Sequence, residues 1–299
     1  MKLQKAKRHQ VKLKVGMSGP SGYGKTYSAL LLAFGITNDW NKIAVIDTEN
    51  NSASLYSHLG EFNILPLNEP FSPERYIEAI KICEASDIEV LIIDSISHEW
   101  SGKGACLEIH EQLGGRFMDW AKITPRHNSF LDAIIQSKIH IITTSRRKVD
   151  YSLDQDSSGK TKVMKLGTKE IQREGYEYEL TVNFEFLNDK HLVTVSKDRT
   201  GLFVGKPEFI INSFTGKKLK DWCNQGVSIE ELKVEIENCT TEEELKAIYN
   251  NNPQFSKKIY PLIVSKKESL NALNTQLVKE NSIITNPKLQ LHGNDNTEL

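Results

Sequence analysis

Apolar and polar positions alternate early in the chain. Val11, Leu13, Val15 and Met17 are separated by polar or small residues, and this period of two predicts a strand. A glycine-rich turn follows, then TYSALLLAFG, whose Ala and Leu content predicts a helix stopped by Gly35. Lys42 to Asp47 (KIAVID) is a short apolar run of the kind a buried parallel strand produces. Ser72-Pro73-Glu74 opens a second helix, expected to run to about Ala85. Serine caps it, proline suits the first helical position, and glutamate faces the positive end of the dipole. Glu89 to Asp94 (EVLIID) is another buried strand, a helical stretch spans about Phe117 to Ser137, and Lys138 to Thr144 (KIHIITT) is a third such strand. This alternation predicts an α/β fold, a mainly parallel sheet flanked by helices, with the loops after its strands gathered along one edge.

After Thr144 the pattern breaks. RRKVDYSLDQDSSGKTKVMKLG is polar with both signs of charge and is expected to be a long mobile loop. Tyr178 to Leu187 and His191 to Lys197 then predict two strands joined at Asn188-Asp189. Residues 1–210 thus form one α/β domain and 211–227 a hinge. A small helical module follows over 228–275, where Ser228 to Glu231 and Thr241 to Glu244 both have the capping-box pattern. Residues 276–299 are Asn-rich and thinly apolar and are expected to be disordered.

The bulk properties narrow the class. A chain of 299 residues suits one such domain plus an appendage. A formal net charge of -1 leaves any nucleic-acid contact to a local basic surface. No apolar run approaches the length of a membrane span, and the basic N-terminus lacks a secretory core. Cys83, Cys106, Cys223 and Cys239 are scattered without a C-x-x-C pair, so neither a zinc knuckle nor a disulfide framework is indicated. Buried, reduced thiols in a cytoplasmic protein are the expectation.

The strongest chemistry lies in Gly19-Pro20-Ser21-Gly22-Tyr23-Gly24-Lys25-Thr26, a full match to G-x-x-x-x-G-K-[ST] between a predicted strand and a predicted helix. Glycines let successive backbone N–H groups converge on phosphate oxygens, Lys25 supplies a charge toward the β/γ phosphates, and the Thr26 hydroxyl ligates Mg²⁺. The helix presents its positive end to the anion. ATP with Mg²⁺ is therefore the expected cofactor pair. EVLIIDS, an apolar strand ending in an acid, has the form of a Walker B element, and Asp94 would hold the metal through water or through Thr26. Hydrolysis also needs a group to deprotonate or orient water. Glu49 and Glu99 are the candidates, and Ser95, standing where many AAA-type ATPases carry the base, favours Glu49.

GPSGYGKT, AVIDTE, VLIIDS, IITTSRR and VSKDRTG occur in an order that resembles RecA-fold recombinases and their relatives. The set looks most like phage-encoded RecA-like P-loop ATPases, the phage nucleotide-binding or AAA family proteins, some of which accompany single-strand annealing recombination. The similarity covers about Lys12 to Phe203. It implies that Glu49, in IDTE, is the catalytic glutamate. It implies a γ-phosphate sensor at Ser145 or Thr144, where the family usually has glutamine. It further implies that Lys197 and Arg199 reach a neighbouring subunit's ATP, which makes the protein a homo-oligomer. The resemblance places a DNA-contacting loop from Arg146 to about Gly167; Arg146, Arg147, Lys148, Lys160 and Lys162 supply its cations and Tyr151 a stacking ring. Only about ten residues precede the first strand, so the recombinases' N-terminal docking element is not expected.

The leading expectation is a DNA-stimulated ATPase of phage recombination or replication, acting on single-stranded DNA with a recombination or replication protein as partner, in the cytoplasm of the bacterial host. The alternative is an AAA-type ATPase that remodels or loads a protein partner through its C-terminal helical module. A nucleotide-gated binding module that hardly hydrolyses is a third.

Overall fold

The computed structural model describes residues 8, 11–155, 161–224, 229–252 and 255–284. No described helix is long and apolar enough to cross a membrane. Strand β1 (Lys14–Gly19) leads through the glycine-rich turn into helix α1 (Lys25–Thr37), then β2 (Ile43–Asp47), β3 (Asn63–Pro66), α2 (Pro73–Ala85) and β4 (Val90–Asp94). Three helices follow, α3 (Ser97–Ser101), α4 (Cys106–Gln112) and α5 (Trp120–Gln136). The domain continues with β5 (His140–Gln155), β6 (Thr161–Glu170), β7 (Val182–Phe186), β8 (Leu192–Asp198), β9 (Phe209–Ile210) and α6 (Ser213–Asn224).

The strand order is β3-β2-β4-β5-β1-β7-β8-β9, with β6 paired to β5. Every neighbouring pair from β3 to β7 is parallel, whereas β8 and β9 add antiparallel. β5 lies between the strand that feeds the phosphate loop and the strand that ends in Asp94. All five residues of β2 and of β4 are buried, which is why both read as unbroken apolar runs. One face packs Val15, Met17, Val45, Ile92 and Ile142 against Leu30 and Ala33 of α1 and Leu219 of α6. The other sets Ile46, Leu91, Ile93 and Ile141 against Tyr76 of α2 and Phe130 of α5.

Three features differ from the sequence reading. Gly35 lies inside α1 rather than stopping it, because α6 crosses there: a Cβ on Gly35 would stand 1.9 Å from Ser213 O and 2.9 Å from Gly216 Cα. The segment read as a hinge is α6, whose Leu219 and Cys223 are buried in the core. The expected mobile loop is a hairpin in which β5 continues past the sheet and pairs antiparallel with β6, from Arg147 opposite Glu170 to Gln155 opposite Thr161. Val149, Tyr151 and Leu153 alternate with polar residues in that stretch, a period of two obscured by the surrounding charges.

Helices α7 (Ile229–Asn238), α8 (Glu242–Asn251) and α9 (Ser256–Ile284) belong to a second compact unit, separate from the one built on residues 10–223. It has its own core of Leu232, Ile236, Leu245, Ile248 and Ile259. The capping box expected at Thr241 is present: Glu244 N–H donates to Thr241 Oγ1 (3.2 Å) and Thr241 N–H to Glu244 Oε2 (3.2 Å). Ser228 lies outside the described residues. Helix α9 runs to Ile284, into the segment expected to be disordered, because the helical pattern carries on past Gln276; residues 285–299 lie outside the described set.

Candidate nucleotide site

The glycine-rich turn occupies the step between β1 and α1. Gly22 and Gly24 adopt φ of 81° and 84°, the left-handed region that glycine enters without a steric penalty. The first turn of α1 has neither a side-chain cap nor an acidic residue, so its N–H donors face the loop without a competing anion. Lys25 Nζ donates to the carbonyls of Gly19 (2.9 Å) and Pro20 (2.8 Å), which folds its charge over the same loop. Burial holds this lysine below its usual pKa, while Asp94 and Glu49 pull the other way.

Asp94 ends β4, is buried, and binds two hydroxyls. Its Oδ2 accepts from Thr26 Oγ1 at 2.5 Å and its Oδ1 from Thr144 Oγ1. Burial pushes its carboxyl up, against the effect of both threonines. An uncapped helix end, a lysine and a hydroxyl–carboxylate pair at the mouth of the loop form a donor set that fits a nucleoside triphosphate with Mg²⁺.

The turn after β2 is shaped by Asp47, whose two oxygens accept from the N–H groups of Glu49 (2.7 Å) and Ala53 (2.8 Å). Glu49 thereby stands beside Asp94, and its Oε1 accepts from both Nε (3.0 Å) and Nη2 (2.7 Å) of Arg146. The other candidate base, Glu99, is fully buried between His127 Nδ1 (3.0 Å) and Cys106 Sγ (3.1 Å), out of reach of water. Those three donors lie within 4.8 Å of one another. No fourth donor joins them among the described residues, and His127 Nε2 lacks the acceptor that a metal-bound imidazole requires. The cluster is a closed hydrogen-bonded knot.

Several expected roles change with the geometry. Ser145 turns to Glu170, and it is Thr144 that reaches Asp94. Arg146 is engaged with Glu49. Arg147 pairs with Glu185 (2.8 Å) and donates to Thr168 O (2.8 Å). Both arginines thus have acidic partners within the domain. Lys148 is exposed beside a groove of about 1170 Å³ that Trp100, Phe117, Trp120 and Arg173 also line. The backbone of Lys162 lies opposite that of Asp154 in the β5–β6 register, and Lys160 lies outside the described residues. Lys197 Nζ donates to Glu177 O (2.7 Å) and Arg199 Nη2 to Tyr178 O (2.5 Å). Lys197 lies opposite Asn183, which lies opposite Gly16, so it stands about 10 Å back along the sheet from the phosphate loop of its own chain, and Arg199, whose N–H donates to Thr181 O, stands farther back still.

One contact had no sequence signal. His191, in the β7–β8 turn, has φ 62°, and its Nδ1–H donates to Tyr23 O at 2.8 Å, so a Cβ on Gly24 would lie 2.6 Å from that nitrogen. The β7–β8 turn therefore buttresses the phosphate loop.

A family model described as an AAA domain matches residues 11–200. No curated protein matches the chain. Among solved structures, a KaiC-like protein from the hyperthermophilic archaeon Pyrococcus horikoshii aligns at 16% identity with a TM-score of 0.36, covering 62% of this chain and 79% of that one.

Proposed function

The chain belongs to the AAA domain family, and from that premise we propose that it hydrolyses ATP in response to single-stranded DNA during phage recombination or replication. One observation carries the reading: the Thr26–Asp94 pair lies at the mouth of the Lys25 loop, with Glu49 at the end of the adjacent strand. Loop amides and Lys25 bind the phosphates. Thr26 and Asp94 hold Mg²⁺, which when bound neutralises charge on the β and γ oxygens. Glu49 orients the attacking water and takes its proton. Lys197 and Arg199 act on a neighbouring copy's nucleotide, where a cation supplied in trans stabilises the transferring phosphoryl group.

The DNA reading is supported by the groove beside Lys148. Phe117 and Met118 are 90% and 83% exposed at its margin, and Trp100 stacks on Trp120 within it. Cations interleaved with aromatic faces suit unstacked bases. ATP turnover with and without a short single strand at low salt tests the assignment, and several-fold stimulation is expected. Turnover indifferent to DNA overturns it, and stimulation by a protein instead points to remodelling through α7–α9.

A further inference from the structure

Arg146 stands where β5 passes from the parallel sheet into the hairpin. Its backbone is tied on three sides. It pairs with Gly19 at the last rung of β1, its N–H donates to Ser97 Oγ (2.9 Å), and its carbonyl accepts from Ile171 N–H (2.7 Å). Side chains alternate along a strand, so Arg146 projects on the same face as Thr144. That is the face of Asp94, Thr26 and Lys25, because Thr144 is bonded to Asp94.

From there the guanidinium reaches across to Glu49. Nε and Nη2 both donate to the single oxygen Oε1. A guanidinium carries five N–H donors. Two are used on Glu49, and among the described residues the remaining three bond to no protein atom. Arg146 and Glu49 also line a polar cavity of about 620 Å³ together with Thr48, Asn50, Glu69 and His98.

Stability alone does not account for this arrangement. The pair is 40% and 28% exposed, and ion pairs that open to solvent contribute little to folding. A base must lie within hydrogen-bond reach of the water it activates, and that water must lie in line with the γ-phosphorus. A guanidinium bonded to that base, on a residue whose backbone pairs with Gly19 at the start of the phosphate loop, can reach the phosphoryl oxygens. Its planar fork matches them.

We propose that Arg146 binds the γ-phosphoryl group of its own chain's nucleotide and joins it to Glu49, so that this arginine distinguishes ATP from ADP. The assignment rests on the phosphate-loop reading above. It gives Arg146 the sensing task expected of Ser145 or Thr144, whose hydroxyls are bonded to Glu170 and to Asp94. No chemical step is added; the arginine binds and orients.

Equilibrium binding by calorimetry decides it, using Mg²⁺ with ADP and Mg²⁺ with the non-hydrolysable analogue AMP-PNP, on wild type, R146Q, R146K and K25A. R146Q is expected to weaken AMP-PNP about tenfold or more, the effect of losing a charge-assisted contact, and to leave ADP within about twofold. R146K keeps the charge without the fork and should fall between. An AMP-PNP to ADP ratio in both Arg146 variants equal to that of wild type overturns the proposal. K25A binding both nucleotides as tightly as wild type would instead sink the phosphate-loop reading, a result distinguishable because it affects ADP as well.

Discussion

Asp94→Asn keeps the shape of a buried side chain and removes its charge, and its effects on stability and on ligand binding have opposite signs. Asp94 is 2% exposed, its two oxygens carry one threonine hydroxyl each, and burial raises its carboxyl pKa. A carboxyl raised in the folded state costs stability above its unfolded pKa, and the cost grows as pH climbs toward the folded value. At neutral pH the folded domain carries that cost. An amide avoids it and still satisfies both threonines, accepting from one and donating to the other. Replacing a buried ion pair by neutral residues of similar volume ranges from neutral to a gain of roughly 1–4 kcal/mol. Because two hydroxyls already solvate this carboxylate, the lower part of the range, about 1–2 kcal/mol, applies. For a domain of this size each kcal/mol is worth about 2–4 °C, so the variant should melt about 2–8 °C higher without nucleotide. Mg²⁺-ATP at a hundred times its Kd adds about 2.7 kcal/mol to a protein that binds it, and a variant without the metal-holding carboxylate should lose most of that. The order of the two melting curves therefore inverts when Mg²⁺-ATP is added. Thermal melts of both proteins with and without the ligand measure it. A variant that melts lower than wild type without nucleotide, or one that keeps the full Mg²⁺-ATP shift, refutes the reasoning.

Glu49→Gln should cut single-turnover hydrolysis by about 10²–10⁴-fold while binding Mg²⁺-ATP within a few-fold of wild type; unchanged turnover would remove Glu49 as the base. Gly216→Ala improves helix propensity by just under 1 kcal/mol but sets a Cβ 2.0 Å from Leu32 O, so α6 must back away from α1. Overpacking costs about 1–3 kcal/mol, and a backbone contact this close belongs at the upper end, so the net loss of about 2 kcal/mol should lower the urea midpoint; an unchanged midpoint contradicts the close crossing. Lys14 is buried with its ammonium on Ser137 O and Ile139 O, and burial lowers its pKa to about 8 from 10.5. The unfolded chain holds more protons between those values, so this lysine makes stability rise with pH across that window, by up to about 1.4 kcal/mol per pH unit. Lys14→Met should flatten the rise between pH 8 and 10, and parallel pH profiles for both proteins would show that Lys14 does not cause it.

The elements that a sequence reveals are those whose neighbours impose one environment along their length. KIAVID and EVLIID are buried on both faces, so each is apolar throughout and legible. Strand β3, at the edge of the sheet and half exposed, carries only NILP and leaves no periodic trace. The hairpin was hidden for a different reason: charges of both signs interspersed through its sequence masked the alternation. At the site, the phosphate loop and Asp94 were legible because each is specified by residues adjacent in sequence. The choice between Thr144 and Ser145 needed the strand's facing, which one residue of register reverses. The Arg146–Glu49 pair spans 97 positions and His191–Tyr23 spans 168, and no local pattern specifies either.

Strand β5 is one continuous piece of 16 residues, about 50 Å of extended backbone, and its two ends do different work. Thr144 lies two residues before Arg146, inside the sheet, and Gln155 nine residues after it, so a single run of backbone joins the hydroxyl on Asp94 to the outer end of the hairpin.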